Sequence, residues 1–458
     1  MTLIIIKFNF TICVPLKLLV LSDSKSKMVA HRLNRRTFIK KSAVGALGFG
    51  IIGNKSLTRP EQPEKSSHIK EYRRLGRTGA MVSDIGSGIP YSETVLKAVI
   101  GSGINFIETA ETYDNGNNEI LIGNAIRGME REKLFITTKI NTSFGLADSA
   151  DDIARRAEES LKRMNTPYID LYMVHQAQSI LKVADSSFHK ACDKLKREGK
   201  IRFRGLSCHG TFWWQEPGGT LEQILMAAID DGRYDVLFFP YNFLEPEMGE
   251  RVLQACKSKN IGTMIMKSNP VSVFERYEDI LKRGDNLGIL EQKDYDKKRL
   301  QMEKARDFFL KYQLSDREKL EKGAYQFILT NKNVGTICCR FRNFSDIEKY
   351  VGLSGSTLDN LTAGLLSDFS ESLGFLNCRI GCNQCEKSCP GHLPINTIMR
   401  YYYYAQTLKE KESASKYYRD LGSLNANVCK KCSGGCEKSC PHNVAIRELL
   451  ADANNSLS

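Results

Sequence analysis

The 458-residue chain is predicted to be an α/β protein: a closed (β/α)8 barrel of the TIM type followed by a small, mainly α-helical domain. Three observations predict it. Between residues 71 and 360, short β-branched runs alternate with amphipathic stretches, the pattern of repeated strand–helix units. Those units number eight over about 285 residues, the usual size of a closed parallel barrel. From Leu361 onward the pattern changes to helical stretches around two compact cysteine runs.

The elements follow in order. An opening strand is expected near Val82–Gly86. Ile104–Ala110, Leu134–Ile140, Ile169–His175, Ile201–Ser207, Tyr234–Tyr241, Ile261–Lys267 and Val334–Phe341 supply the other seven. Helix-like stretches lie between them at Ser92–Ser102, Glu119–Met129, Asp151–Met164, Ser187–Glu198, Leu221–Asp231 and Pro246–Lys257. An open doubly wound sheet is the competing architecture, but no Gly-rich fingerprint follows the first strand. A charged insertion from about Phe274 to Arg306 interrupts the seventh unit, as a lid or a solvated helical excursion.

Composition is that of a globular protein, 41% hydrophobic and 26% charged. The net charge of +13 is local: residues 1–70 hold 13 Lys/Arg against 3 acids, which leaves +3 for the remainder. No basic stripe remains, so nucleic acid is excluded as a partner. Residues 34–40, Asn-Arg-Arg-Thr-Phe-Ile-Lys, resemble the twin-arginine export motif. They precede an apolar stretch, Ser42–Gly53, too short to span a bilayer. The expected organisation is a true start at Met28, with 1–27 upstream of it, a signal sequence over 28–53 and a polar linker over 54–70. That reading places the protein on the periplasmic or extracytoplasmic side, with membrane contact only during export.

Eight of the 14 cysteines fall in two runs. Cys378, Cys382, Cys385 and Cys389 precede Pro390; Cys429, Cys432, Cys436 and Cys440 precede Pro441. Each run departs by one inserted residue from the common bacterial [4Fe–4S] spacing, and the closing C-x3-C-P resembles the ferredoxin signature. Two [4Fe–4S] clusters are therefore expected in a ferredoxin-like domain over 361–458. If fourth ligands swap, Cys389 completes the second cluster and Cys440 the first. Structural zinc usually pairs knuckles at wider separation without the trailing Cys-Pro, and thiols at this spacing pair poorly as disulfides. Cys192, Cys256, Cys338 and Cys339 read as buried packing residues.

In a parallel barrel, reactive side chains sit where strands end at the C-terminal face. Glu108, Lys139 and His175 fall there, with Tyr113 in the loop after the second strand. A phenol, with pKa about 10, protonates a carbonyl poorly unless an ammonium lowers that value and a carboxylate fixes the ammonium. An imidazole then orients the substrate oxygen.

At these residues the chain resembles the aldo-keto reductases. Tyr72–Ser83 is similar to that family's N-terminal hairpin, Ile107–Tyr113 to its Asp-Thr-Ala-x-x-Tyr motif, and Thr137–Lys139, Asp170–His175 and Gly199–Ser207 to later motifs. The resemblance spans 71–355, and with the cysteine-rich tail it points to the exported, ferredoxin-tailed branch. It implies Tyr113 as proton donor, Lys139 as its activator and His175 as substrate orienter, with Glu108 standing where the family has Asp. It further implies NADP(H), held by Ser207 and a loop containing Arg340, Arg342 and Asn343. Phe238, Met266 and Cys208 depart from the residues the family uses around the nicotinamide.

The leading expectation is an exported oxidoreductase interconverting a small carbonyl and an alcohol, its clusters exchanging electrons with an external donor or acceptor protein. The alternative is an electron-transfer or scaffold subunit whose barrel no longer binds nicotinamide. Trp213 and Trp214 are expected over the barrel mouth, and Tyr401–Tyr404 on a helix between the cysteine runs, mostly as packing.

Overall fold

A hairpin precedes the barrel: β1 (Tyr72–Arg74) pairs antiparallel with β2 (Met81–Ser83). Eight parallel strands then close in chain order. They are β3 (Ile85–Gly88), β4 (Phe106–Glu108), β5 (Phe135–Ile140), β6 (Ile169–Val174), β7 (Ile201–Ser207), β8 (Val236–Pro240), β9 (Gly262–Met266) and β10 (Thr336–Cys339), the last pairing with both β3 and β9. This computed structural model describes residues 67–141, 148–210, 219–270, 300, 303, 306–308, 310–312 and 318–458, less the side chains of Lys430 and Lys431. The expected signal sequence, Trp213, Trp214 and nearly all of the charged insertion lie outside the described residues.

The opening strand differs from expectation. Val82 and Ser83 belong to the hairpin, and the barrel begins at Ile85. Asp84 makes the break: its buried carboxylate accepts hydrogen bonds from Ser354 Oγ (2.7 Å) and Gly355 N (2.8 Å), tying the chain to the segment after β10. The remaining strands lie within the predicted runs.

The outer helices are α1 (Glu93–Gly101), α2 (Asn117–Ala125), α3 (Ala150–Met164), α4 (Ile180–Val183), α5 (Ser186–Arg197), α6 (Leu221–Asp231), α7 (Pro246–Ser258), α8 (Glu318–Thr330) and α9 (Phe344–Val351). Local chemistry starts them. Ser149 caps α3 by accepting from Asp152 N, Thr220 and Gln223 form a capping box on α6, and Pro246 opens α7. In α3, Ile153, Ala157, Leu161 and Met164 recur at helical spacing and are buried, which turns that face to the strands. Inside the barrel Phe106, Phe135, Leu171, Met173, Val236, Phe238 and Met264 fill the lumen, with Leu75 and Val82 of the hairpin region in the same cluster.

The C-terminal stretch is helical: α10 (Asn360–Leu373), α11 (Ile395–Gln406), α12 (Lys411–Arg419), α13 (Gly435–Lys438) and α14 (Ile446–Leu457). Its apolar core, including Leu365, Phe369, Ile398, Tyr402 and Leu450, is continuous with Phe243, Leu244 and Leu320 of the barrel. Tail and barrel accordingly fall in one compact unit, Lys65–Ser458. Cys192, Cys256 and Cys339 are buried as expected, while Cys338 is half-buried.

The two-cluster expectation is corrected here. Among the described residues, which include all eight cysteines, no group of three or more His, Cys, Asp or Glu side chains is placed to hold a metal ion. The thiols are neighbours. Cys378 feels Cys385, Cys382 and Cys440, and Cys429 feels Cys436, Cys432 and Cys389. Neighbourhood does not make a ligand set. Burial pushes the Cys385 and Cys429 thiols up to about 12 and Cys436 to about 11. Cys385, Cys389, Cys429 and Cys436 pack in the tail's apolar core. Cys389, Cys432 and Cys440 accept backbone N–H bonds from Leu393, Gly434 and Val444, each at 3.4 Å. The tail is a helical domain without a demonstrated metal-binding group. The ferredoxin-like, iron–sulfur and electron-transfer expectations, with the external electron partner, lose their basis. No described helix is long and apolar enough to cross a membrane.

Candidate active site

The C-terminal strand ends assemble one buried set. Glu108 ends β4, Lys139 lies one residue before the end of β5, and His175 follows β6. Tyr113 arrives on a tight turn in which Asp114, Asn115 and Gly116 all have positive φ (48°, 53° and 88°). That turn is pinned by Asn118, whose amide donates to Pro90 O at 2.5 Å while its carbonyl accepts from Thr109 Oγ1 at 2.7 Å.

Lys139 is the hub. Its Nζ contacts Glu108 Oε1 directly and donates to Thr109 O (2.7 Å) and to Tyr113 OH (3.3 Å). Glu108, Lys139 and His175 are all less than a tenth exposed. The His175 ring meets the Tyr113 ring edge-on, centroids 5.6 Å apart. His175 Nδ1 is buried and has no hydrogen-bond partner among the described residues. The extra methylene of Glu108 relative to aspartate is accommodated next to Gly88. A β-carbon there would crowd Glu108 Oε2 and Cys338 Cβ, each at 3.3 Å. The structure thus brings together the four residues that the sequence nominated.

Burial governs the protonation states. It pulls the Lys139 ammonium from 10.5 to about 7, while the Glu108 carboxylate in contact with it works in the opposite direction. Burial raises the Tyr113 phenol above its ordinary value, with Arg340 opposing. Burial and then the Lys139 charge hold the His175 imidazole well below 6.5, so it is neutral.

The residues nominated for a nicotinamide nucleotide lie at the mouth but are otherwise engaged. Ser207 Oγ accepts from Gln176 N (2.9 Å). Phe238 and Met266 belong to the apolar lumen and offer no donor for a carboxamide. Arg340 Nη1 donates to Glu410 Oε1 (2.5 Å) and Tyr91 OH (3.0 Å), and Arg342 Nη2 to Leu408 O (3.3 Å). Asn343 caps α9 by accepting from Asp346 N. With both arginines tied to the segment between α11 and α12, these residues do not fit a dinucleotide as they stand.

Sequence reasoning missed several residues of this mouth. His209 follows β7, and Tyr404 OH of α11 lies 3.2 Å from its Nδ1. Arg400 of α11 donates to His209 O (3.0 Å). Lys267, just after β9, lies over the rings of Tyr403 (5.9 Å) and Tyr404 (5.3 Å). The tyrosine run therefore divides: Tyr401 and Tyr402 pack in the tail core, while Tyr403 and Tyr404 face the barrel mouth. At Gly210 the backbones themselves meet. It has φ +96°, and a β-carbon there would lie 2.7 Å from Gly381 Cα.

The Aldo/keto reductase family model matches residues 89–361, most of the barrel. "Probable aldo-keto reductase 1" of Glycine max is 33% identical over 153 residues, covering 29% of this chain and 44% of its own length. Aldo-keto reductase YhdN of Bacillus subtilis is 30% identical over 223 residues, 43% of this chain and 62% of that protein. Methylglyoxal reductase YeaE of Escherichia coli is 36% identical over 128 residues, 27% of this chain and 43% of that protein. The chain spans about half the length of these relatives.

Proposed function

Because the chain belongs to the aldo/keto reductase family, we propose that it is an oxidoreductase interconverting a small carbonyl compound and its alcohol, with Tyr113 moving the proton at the substrate oxygen. One observation carries the reading: the Lys139 ammonium touches Glu108 and stands 3.3 Å from the Tyr113 hydroxyl. A buried phenol alone is a weak acid. An ammonium in hydrogen-bond reach stabilises the phenolate that forms, and Glu108 keeps that ammonium charged. The alkoxide generated as a carbonyl is reduced is a far stronger base than phenolate, so the proton flows from Tyr113 once reduction begins. At neutral pH the phenol is protonated, the state that reduction requires. Neutral His175, whose ring meets that of Tyr113 edge-on, would hold the carbonyl oxygen. The activity named for the Escherichia coli relative, on methylglyoxal, supports the small-carbonyl class. The hydride added at carbon would come from a donor of the reduced-nicotinamide class supplied from solution; no contact is assigned to it, because Arg340 and Arg342 are engaged by the segment between α11 and α12 as they stand.

The test is Tyr113→Phe, assayed on a panel of small aldehydes and ketones with NADPH and with a reduced viologen as alternative electron sources. Loss of a positioned general acid should lower kcat/KM by about 100- to 10,000-fold. Turnover within about three-fold of wild type would remove Tyr113 from the chemistry.

A further inference from the structure

We propose that Lys267 and Arg400 form an anion subsite beside the reactive set, so that the preferred carbonyl substrate carries a carboxylate, as a 2-oxo acid does. This inference rests on the oxidoreductase reading above. Lys267 is held in an unusual way: directly after β9 its backbone turns to φ +56°, a region non-glycine residues seldom occupy, and this aims the side chain into the mouth. There its Nζ is buried and has no hydrogen-bond partner among the described residues. The rings of Tyr403 and Tyr404 flank it, and among the described residues no carboxylate faces it. Burial, and then the Arg400 charge, drive it toward its uncharged form.

Arg400 reaches the same space from the tail, its Nη1 on His209 O (3.0 Å) and Nη2 on Thr397 Oγ1 (3.3 Å). Lys267, Arg400, Arg379, Asn242 and Asn396 line one cavity between barrel and tail. Two acids stand near the cavity: Glu386, which accepts from Asn396 N and feels Arg400, and Glu245 on the cavity wall, which feels Arg379. His209 links this cavity to the chemistry: Arg400 donates to its carbonyl, Tyr404 OH meets its ring, and its imidazole feels the charges of Lys267, Arg400 and Lys139. Burying an ammonium with no counter-ion is costly. A ligand carboxylate would supply both the missing charge and a planar acceptor for Arg400 and Lys267.

The experiment compares phenylglyoxylate with its methyl ester, ketones differing only in the charge, and measures binding of unreactive benzoate by calorimetry. Wild type should favour the acid in kcat/KM by at least about ten-fold, and Lys267→Met should erase most of that preference through KM, with Lys267→Arg restoring it. Benzoate affinity should fall about ten-fold or more in Lys267→Met and persist in Tyr113→Phe. Equal benzoate affinity in wild type and Lys267→Met, or wild-type turnover of both ketones without preference, overturns the subsite and leaves the oxidoreductase reading intact. Lys267-dependent benzoate binding without turnover of either ketone leaves the subsite standing and overturns the oxidoreductase reading instead.

Discussion

Substituting Glu108→Gln isolates the electrostatics that the reactive set depends on. The change keeps the side-chain shape and removes only the charge touching Lys139. Lys139 is 1% exposed, so water cannot replace the lost carboxylate. Burial then acts on the lysine with no carboxylate opposing it, and drives it further toward its neutral form than in wild type. Breaking a buried pair by removing one partner typically costs about 3–5 kcal/mol. The sign with pH follows from linkage. The unfolded states of both proteins bind the lysine proton alike, while the folded variant releases it at a lower pH than folded wild type does. The deficit of the variant must therefore narrow as pH rises. Urea unfolding of both proteins from pH 6.5 to 10 provides the assay. A variant within about 1 kcal/mol of wild type at pH 7, or a gap that widens with pH, would show that Glu108 and Lys139 do not form a buried charged pair.

Two further expectations concern the contact between tail and mouth. Gly210→Ala places a methyl group 2.7 Å from Gly381 Cα at a positive-φ position, so the tail should loosen by about 1–3 kcal/mol. Faster amide exchange in α11 would report this, and unchanged exchange would refute the contact. Glu410→Gln removes the carboxylate holding Arg340. A partly exposed pair of this kind is worth up to about 1 kcal/mol, so NADPH should bind up to about five-fold tighter, with NADH little changed. Parallel fluorescence titrations decide it; identical NADPH affinity would mean that Arg340 is not withheld from a 2′-phosphate by Glu410.

Barrel and reactive set were legible because their signals are local or repeated. Ile136, Leu171 and Val236 sit in runs whose composition marks strands, and a reactive residue at a strand end needs no knowledge of distant neighbours. Glu108, Lys139 and His175 each satisfy that rule one strand at a time, and closure of the barrel does the rest. The break at Asp84 was not legible, because Ser354 and Gly355 impose it from the far end of the barrel. Nor was the Lys267–Arg400 pair, whose members are brought together only by the docking of α11. The cysteine runs mislead for a related reason. Spacing specifies that thiols can approach one another, while the geometry of a ligand set depends on packing, and no such set forms among the described residues.

The location of α11 bears on where this chain's specificity resides. The family match ends at residue 361, yet Arg400, Tyr403 and Tyr404 lie against His209 and Lys267 at the barrel mouth. The reactive set is charge-balanced within the barrel, Lys139 against Glu108, so proton chemistry can be completed without the tail. The mouth is not balanced in that way: among the described residues no acid pairs with Lys267, and α11 adds Arg400 where a neutral lid would have sufficed. A helix serving only to cover the mouth would bury apolar side chains there, as Tyr401 and Tyr402 do in the tail core. Placing a guanidinium beside a buried ammonium raises the cost of docking unless an anion enters between them. Tail docking and anion binding should therefore be coupled, each favouring the other. Benzoate should slow amide exchange in α11 of wild type and leave it unchanged in Lys267→Met.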